Sequence, residues 1–419
     1  MSTQTAAAGN PSTLADIWPE PGASRIPARV YTSPEVYARE LERIFYGRHW
    51  SYVGLAAEVP EPGSFKRASI GERSVIMIRN RRGEINVLEN RCAHRAMRFC
   101  KEKFGKAKTL VCPYHQWNYS HDGKLLGVPF QRGVKGNGGM PEDFRLEDHG
   151  LPRLKVATRN GVVFASFAQD VEPLEDYIGP AVLAYFDRTF DGRELVVQGY
   201  SRQRIPGNWK LMMENIKDPY HPGLLHTWFV TFGLWRADNR SRLIMDERGR
   251  HACMISQRSE TIDPDVTKGV TSYRRNMTLH DTSLLDIVVE PWWNGPTVCM
   301  TTIFPSVILQ QQVNSLSTRQ IIPAGPDSFD FVWTHFGFAD DTPDMAARRM
   351  HQANLFGPGG LVSADDGEVI ELSQDGFRQD QAFSTLCELG GTAVENTEHM
   401  VTETLIRGMY RYWREVMDL

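Results

Sequence analysis

Apolar positions in residues 34–47 (PEVYARELERIFYG) recur at Val36, Leu41, Ile44 and Phe45, a spacing that predicts a helix. From about 50 to 167 the texture changes to short apolar runs divided by turn-forming residues. SVIMI (74–78), RNRRG and EINVL (84–88) together predict a hairpin. TLVCPY (109–114) and VVFASF (162–167) read as further strands. A small all-β domain is therefore expected over 49–167, after an N-terminal segment (1–48) made of a leader, MSTQTAAAGNPST, and the helix.

Residues 168–419 are mixed. Segments 176–190 and 208–217 have helical spacing, and LDIVVE (285–290), TVCMTTIF (297–304), VILQQQV (307–313) and FDFVWTHFGFA (329–339) read as strands. The end, 402–417, is a strongly amphipathic helix with Leu405, Ile406, Met409, Tyr410, Trp413 and Met417 on its apolar side and Thr402 as its predicted N-cap. A sheet with a long terminal helix across it, an α+β domain, is the economical arrangement of these elements.

A length of 419 residues suits two or three domains. With 47 basic against 51 acidic residues there is no electrostatic footprint for nucleic acid or a membrane surface. Mean hydropathy is −0.38, and no apolar run is long enough to span a bilayer. The leader lacks the basic and apolar regions of a secretion signal, so the cytoplasm is the expected location. Six cysteines (92, 100, 112, 253, 299 and 387) are too sparse for a disulfide scaffold, which raises the question of metal.

The β domain contains Cys92-x-His94 and Cys112-x-x-His115. Two thiolates and two imidazoles on two short loops suit either a structural zinc or a Rieske [2Fe–2S] cluster. Zinc fingers commonly keep like ligands together. Here each loop supplies one of each kind, which lets both loops reach both irons of a dinuclear cluster. Cys100 has no partner in this pattern and reads as a small buried residue.

The second constellation is NWKLMMENIKDPYHPGLLH (208–226). Asp218 and His221, three apart, share a helix face. His221 and His226, five apart, would diverge on an unbroken helix, but Pro222 and Gly223 predict a break that can bring both imidazoles to one metal. Two histidines and a distant carboxylate form a facial triad for non-haem Fe(II). The carboxylate candidate is in FGPGGLVSADDGEVIE (356–371), a Gly-rich turn leading into Asp365 and Asp366. Taken singly, the histidines also fit a satisfied core and the aspartates a cap or solvated turn.

These motifs, in this order, resemble the α subunits of Rieske non-haem iron ring-hydroxylating oxygenases, from about residue 27 to the end. RIPGNWKLMMENIKDPYHPGLLHTWFVTFGLWRADN (204–239), TTIFPSVILQQQVNS (301–315), FGPGGLVSADDGEVIE (356–371) and HMVTETLIRGMYRYWREVM (399–417) carry the resemblance. It implies a helix-grip catalytic domain with an antiparallel sheet. It implies Cys92, His94, Cys112 and His115 as cluster ligands and His221, His226 and Asp366 as iron ligands. Asp218 becomes a bridge from His221 to His115 of a neighbouring subunit, with Asn215 beside the site. One position departs from the family: Ala96 stands where Gly is usual after Cys-x-His-Arg. If that position needs φ > 0, alanine is strained there.

The resemblance further implies O₂-dependent hydroxylation of an aromatic carboxylic acid, with salicylate to gentisate favoured and ring dioxygenation of anthranilate, benzoate or terephthalate as the alternative. With no Gly-x-Gly-x-x-Gly after a strand, NAD(P)H is expected to be oxidised by a separate reductase and to act through a ferredoxin. A small β subunit and an α3β3 assembly are also implied. Gln310 and Gln312 should share one strand face, with Gln311 opposite. Gln312 and Ser363 are candidate substrate hydrogen-bonding residues and Met254 a candidate apolar wall. Two readings from other classes are a Rieske electron carrier and a zinc-stabilised binding protein.

Overall fold

The computed structural model describes residues 17–258 and 264–419; the predicted leader lies outside these. The predicted hairpin forms, Arg73–Arg79 pairing antiparallel with Ile85–Glu89 in a four-stranded sheet completed by Ser64–Ile70 and Phe104–Lys106. Strand alternation sends Val75, Met77 and Val87 into one core and Ile76, Ile78 and Leu88 into another. Strand Ser51–Leu55 pairs with Val162–Ser166, so the two ends of this β region meet at one edge. In TLVCPY only Leu110–Val111 is strand. The remainder bends into a loop whose backbone closes on itself, as described below.

The second part is built on a seven-stranded antiparallel sheet. Its order is Leu195–Ile205, Phe329–Phe338, Ser315–Pro323, Val307–Gln312, Val298–Ile303, Ala252–Gln257 and Arg240–Met245. Three of these strands match the predicted runs. LDIVVE does not: Thr282–Leu285 is a 3₁₀ turn and 286–290 has no regular structure. Its backbone is satisfied by side chains instead. Asn314 bonds Val288 at both the amide and the carbonyl, and Arg348 and Gln352 donate to the Asp286 carbonyl.

Helix Pro180–Thr189 covers one sheet face, with Val182 and Phe186 packed among Cys253, Ile255 and Leu309. The predicted 176–190 helix is broken into Leu174–Ile178 and Pro180–Thr189 at Gly179, whose φ is +77°. Helix Trp209–Lys217 and the C-terminal helix Thr404–Met417 belong to the core on the other face, with Ile308 and Trp333. That terminal helix begins two residues after its predicted cap. Thr402 still accepts the Thr404 amide at 3.3 Å, but Glu403 occupies the position before the first turn.

The N-terminal helix, Pro34–Glu40 continued by Leu41–Phe45, is tied into this second core by one buried carboxylate. Glu40 accepts from the indole nitrogens of Trp209 (2.8 Å) and Trp413 (2.7 Å) and pairs with Lys210 at 2.7 Å. Three segments distant in sequence thus meet at one fully satisfied charge, the only arrangement in which burying it is tolerable.

Candidate metal centres

The two Cys/His loops have the same backbone construction. In the first, the Ala96 amide donates to the Cys92 carbonyl and the Cys92 amide to Met97. In the second, Gln116 donates to Cys112, and Cys112 to Trp117. Each loop turns through a left-handed residue at the equivalent place, Ala96 at φ +55° and Gln116 at φ +56°. The position where the family usually has glycine therefore does need φ > 0, at a cost of about 1 kcal/mol for a residue with a Cβ. Ala96→Gly is expected to relieve that strain. The check is the temperature at which visible absorbance bleaches, which should rise by about 1–3 °C.

Cys92 and Cys112 are buried and adjacent, while His94 and His115 lie outside them, partly exposed, with ring centroids 4.5 Å apart. His94 stacks on Trp117 at 4.8 Å, and its Nδ1 is buried without a partner. Burial, then His115 and Arg95, lower the His94 imidazole below its ordinary value. Ligand atoms around one tetrahedral zinc lie within about 4 Å of one another. Among the described residues only His221, His226 and Asp366 form a group of three such side chains within 4.8 Å. The loop residues are arranged as a thiol pair and an imidazole pair, which suits two irons and not one ion.

The second centre is assembled from two helices and a break. Helix Trp209–Lys217 is capped by the Asn208 side chain, which accepts from the Lys210 amide, and it ends at Asp218 in extended backbone. Pro222 then opens a one-turn helix ending at Leu225, and His226 is extended again. The break falls earlier than predicted: the first helix stops at Lys217, before His221, and Pro222 and Gly223 open a new turn instead of unwinding one. This arrangement brings the rings of His221 and His226 to 5.4 Å. Their Nε2 atoms lie 3.5 and 3.3 Å from one oxygen, Oδ1 of Asp366.

Asp365 and Asp366 are not in a turn; they lie in helix Leu361–Gln379. Gly360 starts that helix at a reversal so tight that a Cβ there would sit 2.0 Å from the Leu355 carbonyl oxygen. Consecutive helical residues point about 100° apart, so the two carboxylates reach different sides of His226. Asp365 Oδ2 is 3.2 Å from its Nδ1, and Asp366 faces its Nε2. On His221 the rear position belongs to Asp218, whose Oδ2 is 3.4 Å from Nδ1, without the alignment of a full hydrogen bond. Asn215 donates its amide to Asp366 Oδ1 at 3.1 Å.

Burial disfavours a charged His221, yet Asp218 and Asp366 outweigh it and raise the imidazole to about 9. Burial likewise acts to raise Asp366, and the two imidazoles hold it well below the usual carboxylate range. Two nitrogens and one oxygen thus converge, with a carboxylate behind each imidazole, a donor set that suits Fe(II) and leaves coordination positions open.

Strand alternation defines the sheet face beneath this centre. Met254, Met300, Gln310, Ser317 and His335 are paired in sequence across five strands, flanked on one side by Val298, Gln312 and Ser315 and on the other by Ile308, Arg319 and Trp333. Gln310 and Gln312 share this face and are bonded to each other; Gln311 points the opposite way, to Arg188 and the Thr297 carbonyl. Met254 is buried in the core on this side. Ser363 donates its hydroxyl to Gln203 at 2.6 Å, so only its lone pairs remain for another group. Sequence reasoning missed Asp365 as the partner of His226, and it missed Arg319. The signal for the latter was present: Ser315, Ser317, Arg319 and Ile321 alternate in one strand, and the arginine falls on the inward positions.

Residues 49–137 match the Rieske [2Fe–2S] domain model, and 191–419 match that of the ring hydroxylating alpha subunit catalytic domain. The chain is 65% identical over 405 residues to the large oxygenase component of salicylate 5-hydroxylase from Ralstonia sp., covering 96% of each protein. It is 40% identical to the anthranilate 1,2-dioxygenase large subunit of Burkholderia cepacia, covering 96% of this chain and 95% of that one. In fold it is similar to naphthalene 1,2-dioxygenase from Rhodococcus sp., with a TM-score of 0.78, 24% identity and 94% of each chain covered. The chain belongs to the ring-hydroxylating oxygenase α subunits, with a Rieske [2Fe–2S] domain followed by a catalytic domain that binds a mononuclear iron.

Proposed function

We propose that this chain hydroxylates salicylate at carbon 5 to give gentisate, as the large component of a multicomponent oxygenase. The observation that carries the reading is the convergence of His221, His226 and Asp366 within 4.8 Å, in a chain 65% identical to a salicylate 5-hydroxylase component. Cys92, His94, Cys112 and His115 would hold the cluster, and His221, His226 and Asp366 the iron. When bound, the cluster supplies single electrons and the iron supplies O₂ activation beside the substrate ring.

The chain's own residues prepare that site. Asp365 accepts at the rear nitrogen of His226 and so fixes which nitrogen faces the metal, while the Asp218 carboxylate lies 3.4 Å behind His221 and acts on it through its charge. Asn215 restrains Asp366 from the side. The buried methionines and glutamines of the sheet face make the side facing the centre apolar with a few polar groups, the composition an aromatic acid requires. Electrons are expected from NAD(P)H through a reductase and a ferredoxin, and a small β subunit in an α3β3 assembly completes the enzyme. A cytoplasmic location is part of this reading; no helix among the described residues is long and apolar enough to cross a membrane.

The test is product analysis of the holoenzyme with its β subunit, an electron source and ¹⁸O₂. Salicylate should yield gentisate carrying one labelled oxygen in the new hydroxyl. A cis-dihydrodiol or its catechol product would favour ring dioxygenation, and turnover of anthranilate or terephthalate in preference to salicylate would reassign the substrate.

A further inference from the structure

Five arginines are buried among the described residues: Arg236, Arg250, Arg319, Arg349 and Arg407. Four of them are compensated. Arg349 pairs with Glu290 and Asp341 and donates to the Asn314 carbonyl. Arg250 pairs with Asp246 and Glu172, and Arg236 with Asp238. Arg407 donates to the carbonyls of Ala393, Cys387 and Leu389.

Arg319 differs. It is 5% exposed, its Nε is buried with no hydrogen-bond partner, and no side chain or carbonyl among the described residues hydrogen-bonds to its guanidinium. Its guanidinium lies over the face of Trp333, 4.2 Å from ring centroid to Cζ. Burial pushes Arg319 down to about 9, offset only by the charge of Asp366. Arginine does not give up its proton at neutral pH, so the depression measures an uncompensated buried cation. That is costly for a folded protein unless an anion arrives to meet it.

The position decides which anion. Arg319 lies on the sheet face described above, between Ile308 and Trp333, near enough to Asp366 to feel its charge. Two further buried nitrogens on that face, Trp333 Nε1 and His335 Nδ1, also lack partners. His335 is held neutral by burial and then by Arg319, so Arg319 alone supplies positive charge there. Asp366 itself is already engaged by His221, His226 and Asn215.

We infer that Arg319 is the specificity-determining residue for a ring-bearing carboxylate, its planar guanidinium receiving the substrate carboxyl group on two parallel N–H bonds while the ring lies toward the metal centre. The fork of donors matches a carboxylate and has no match in an amide or a bare ring. The inference rests on the proposed aromatic-acid chemistry and narrows it. The carboxylate is read from the strand Ser315–Pro323, while Ser363 is engaged with Gln203 and Gln310 and Gln312 with each other.

The experiment measures binding by calorimetry, with the metal-loaded enzyme, of salicylate, benzoate, anthranilate and terephthalate against salicylamide and benzamide. Wild type should prefer at least one acid over its amide by on the order of a hundredfold. Arg319→Gln should bring the two within a few-fold, with amide affinity, cluster absorbance and iron content unchanged. Arg319→Lys keeps the charge without the fork and should fall between. It also gives the reading if the Gln variant fails to hold its metals. Acid preference retained in the Gln variant, no loss in the Lys variant when the Gln variant is unfolded, or no acid preference in wild type would each overturn the assignment. An arginine-dependent preference for another acid, without gentisate from salicylate, would remove the substrate reading and leave Arg319 in place.

Discussion

Asp366→Ala is expected to purify with the [2Fe–2S] colour intact, mononuclear iron near zero and no measurable turnover, whereas Asp365→Ala should keep iron and bind it more weakly. The distinction follows from which imidazole atom each carboxylate faces. Asp366 Oδ1 lies 3.5 and 3.3 Å from the Nε2 atoms of His221 and His226 and is the one oxygen common to both rings. Removing it deletes a ligand. Asp365 reaches only the rear Nδ1 of His226, at 3.2 Å. Its loss frees the ring to rotate or change tautomer, an effect of about 10–100-fold in metal affinity for such outer partners. The measurement is iron and acid-labile sulfide per chain for each variant, with iron retention followed against a chelator. Iron lost from Asp365→Ala and retained in Asp366→Ala would reverse the two roles.

That pair also marks how far the sequence could be read. Both metal motifs are local: Cys-x-His, Cys-x-x-His and His-x₄-His lie within loops whose chemistry is contained in a few consecutive residues. That the helix stops near Pro222 is visible because proline cannot continue a helix from the residues before it, but the stop falls at Asp218 and the proline starts the next turn. Asp365 and Asp366 are a different case. Which one faces the metal depends on how helix Leu361–Gln379 docks on the sheet, and two adjacent aspartates cannot report a docking angle. LDIVVE shows the opposite failure. Its β-branched run is locally persuasive, but Asn314, Arg348 and Gln352 satisfy its backbone from distant segments, and no strand forms.

The unpredicted strands have their own reasons. Leu195–Ile205 (LVVQGYSRQRI) is an edge strand, partly solvated and rich in polar residues, so its alternation is weak. Ala252–Gln257 is buried on both faces through most of its length, so it does not alternate at all. Arg319 was legible only as a polar residue at an inward position. That it has no partner is a statement about every neighbour around it, and only the fold supplies those neighbours.

Asp218→Asn is expected to retain both metals and bind substrate, yet slow single-turnover electron transfer by about ten- to a hundredfold or more. Asp218 ends helix Trp209–Lys217, and its two oxygens have separate tasks. Oδ1 accepts the Tyr220 amide at 2.8 Å and lies 3.4 Å from that of His221, which fixes the turn. Oδ2 lies 3.4 Å from His221 Nδ1 and is partly exposed, in a cleft shared with Glu214, Asn215, Leu225 and Glu403. A neighbouring subunit can therefore approach it, and we propose that His115 of that neighbour completes the bridge. An asparagine keeps the shape and can still accept the Tyr220 amide, so the turn and the iron ligands should persist. It loses the charge that holds His221 Nδ1 as a donor, and its nitrogen presents a hydrogen where a second imidazole N–H must be received. If Asp218 served only to end the helix, the asparagine would substitute with little loss. The measurement is reoxidation of the reduced cluster's absorbance after salicylate and O₂ are added, alongside iron content and calorimetric binding of salicylate. Wild-type reoxidation in a variant with both metals would remove the bridge, whereas slow reoxidation with unchanged iron and substrate binding places the defect between the two centres.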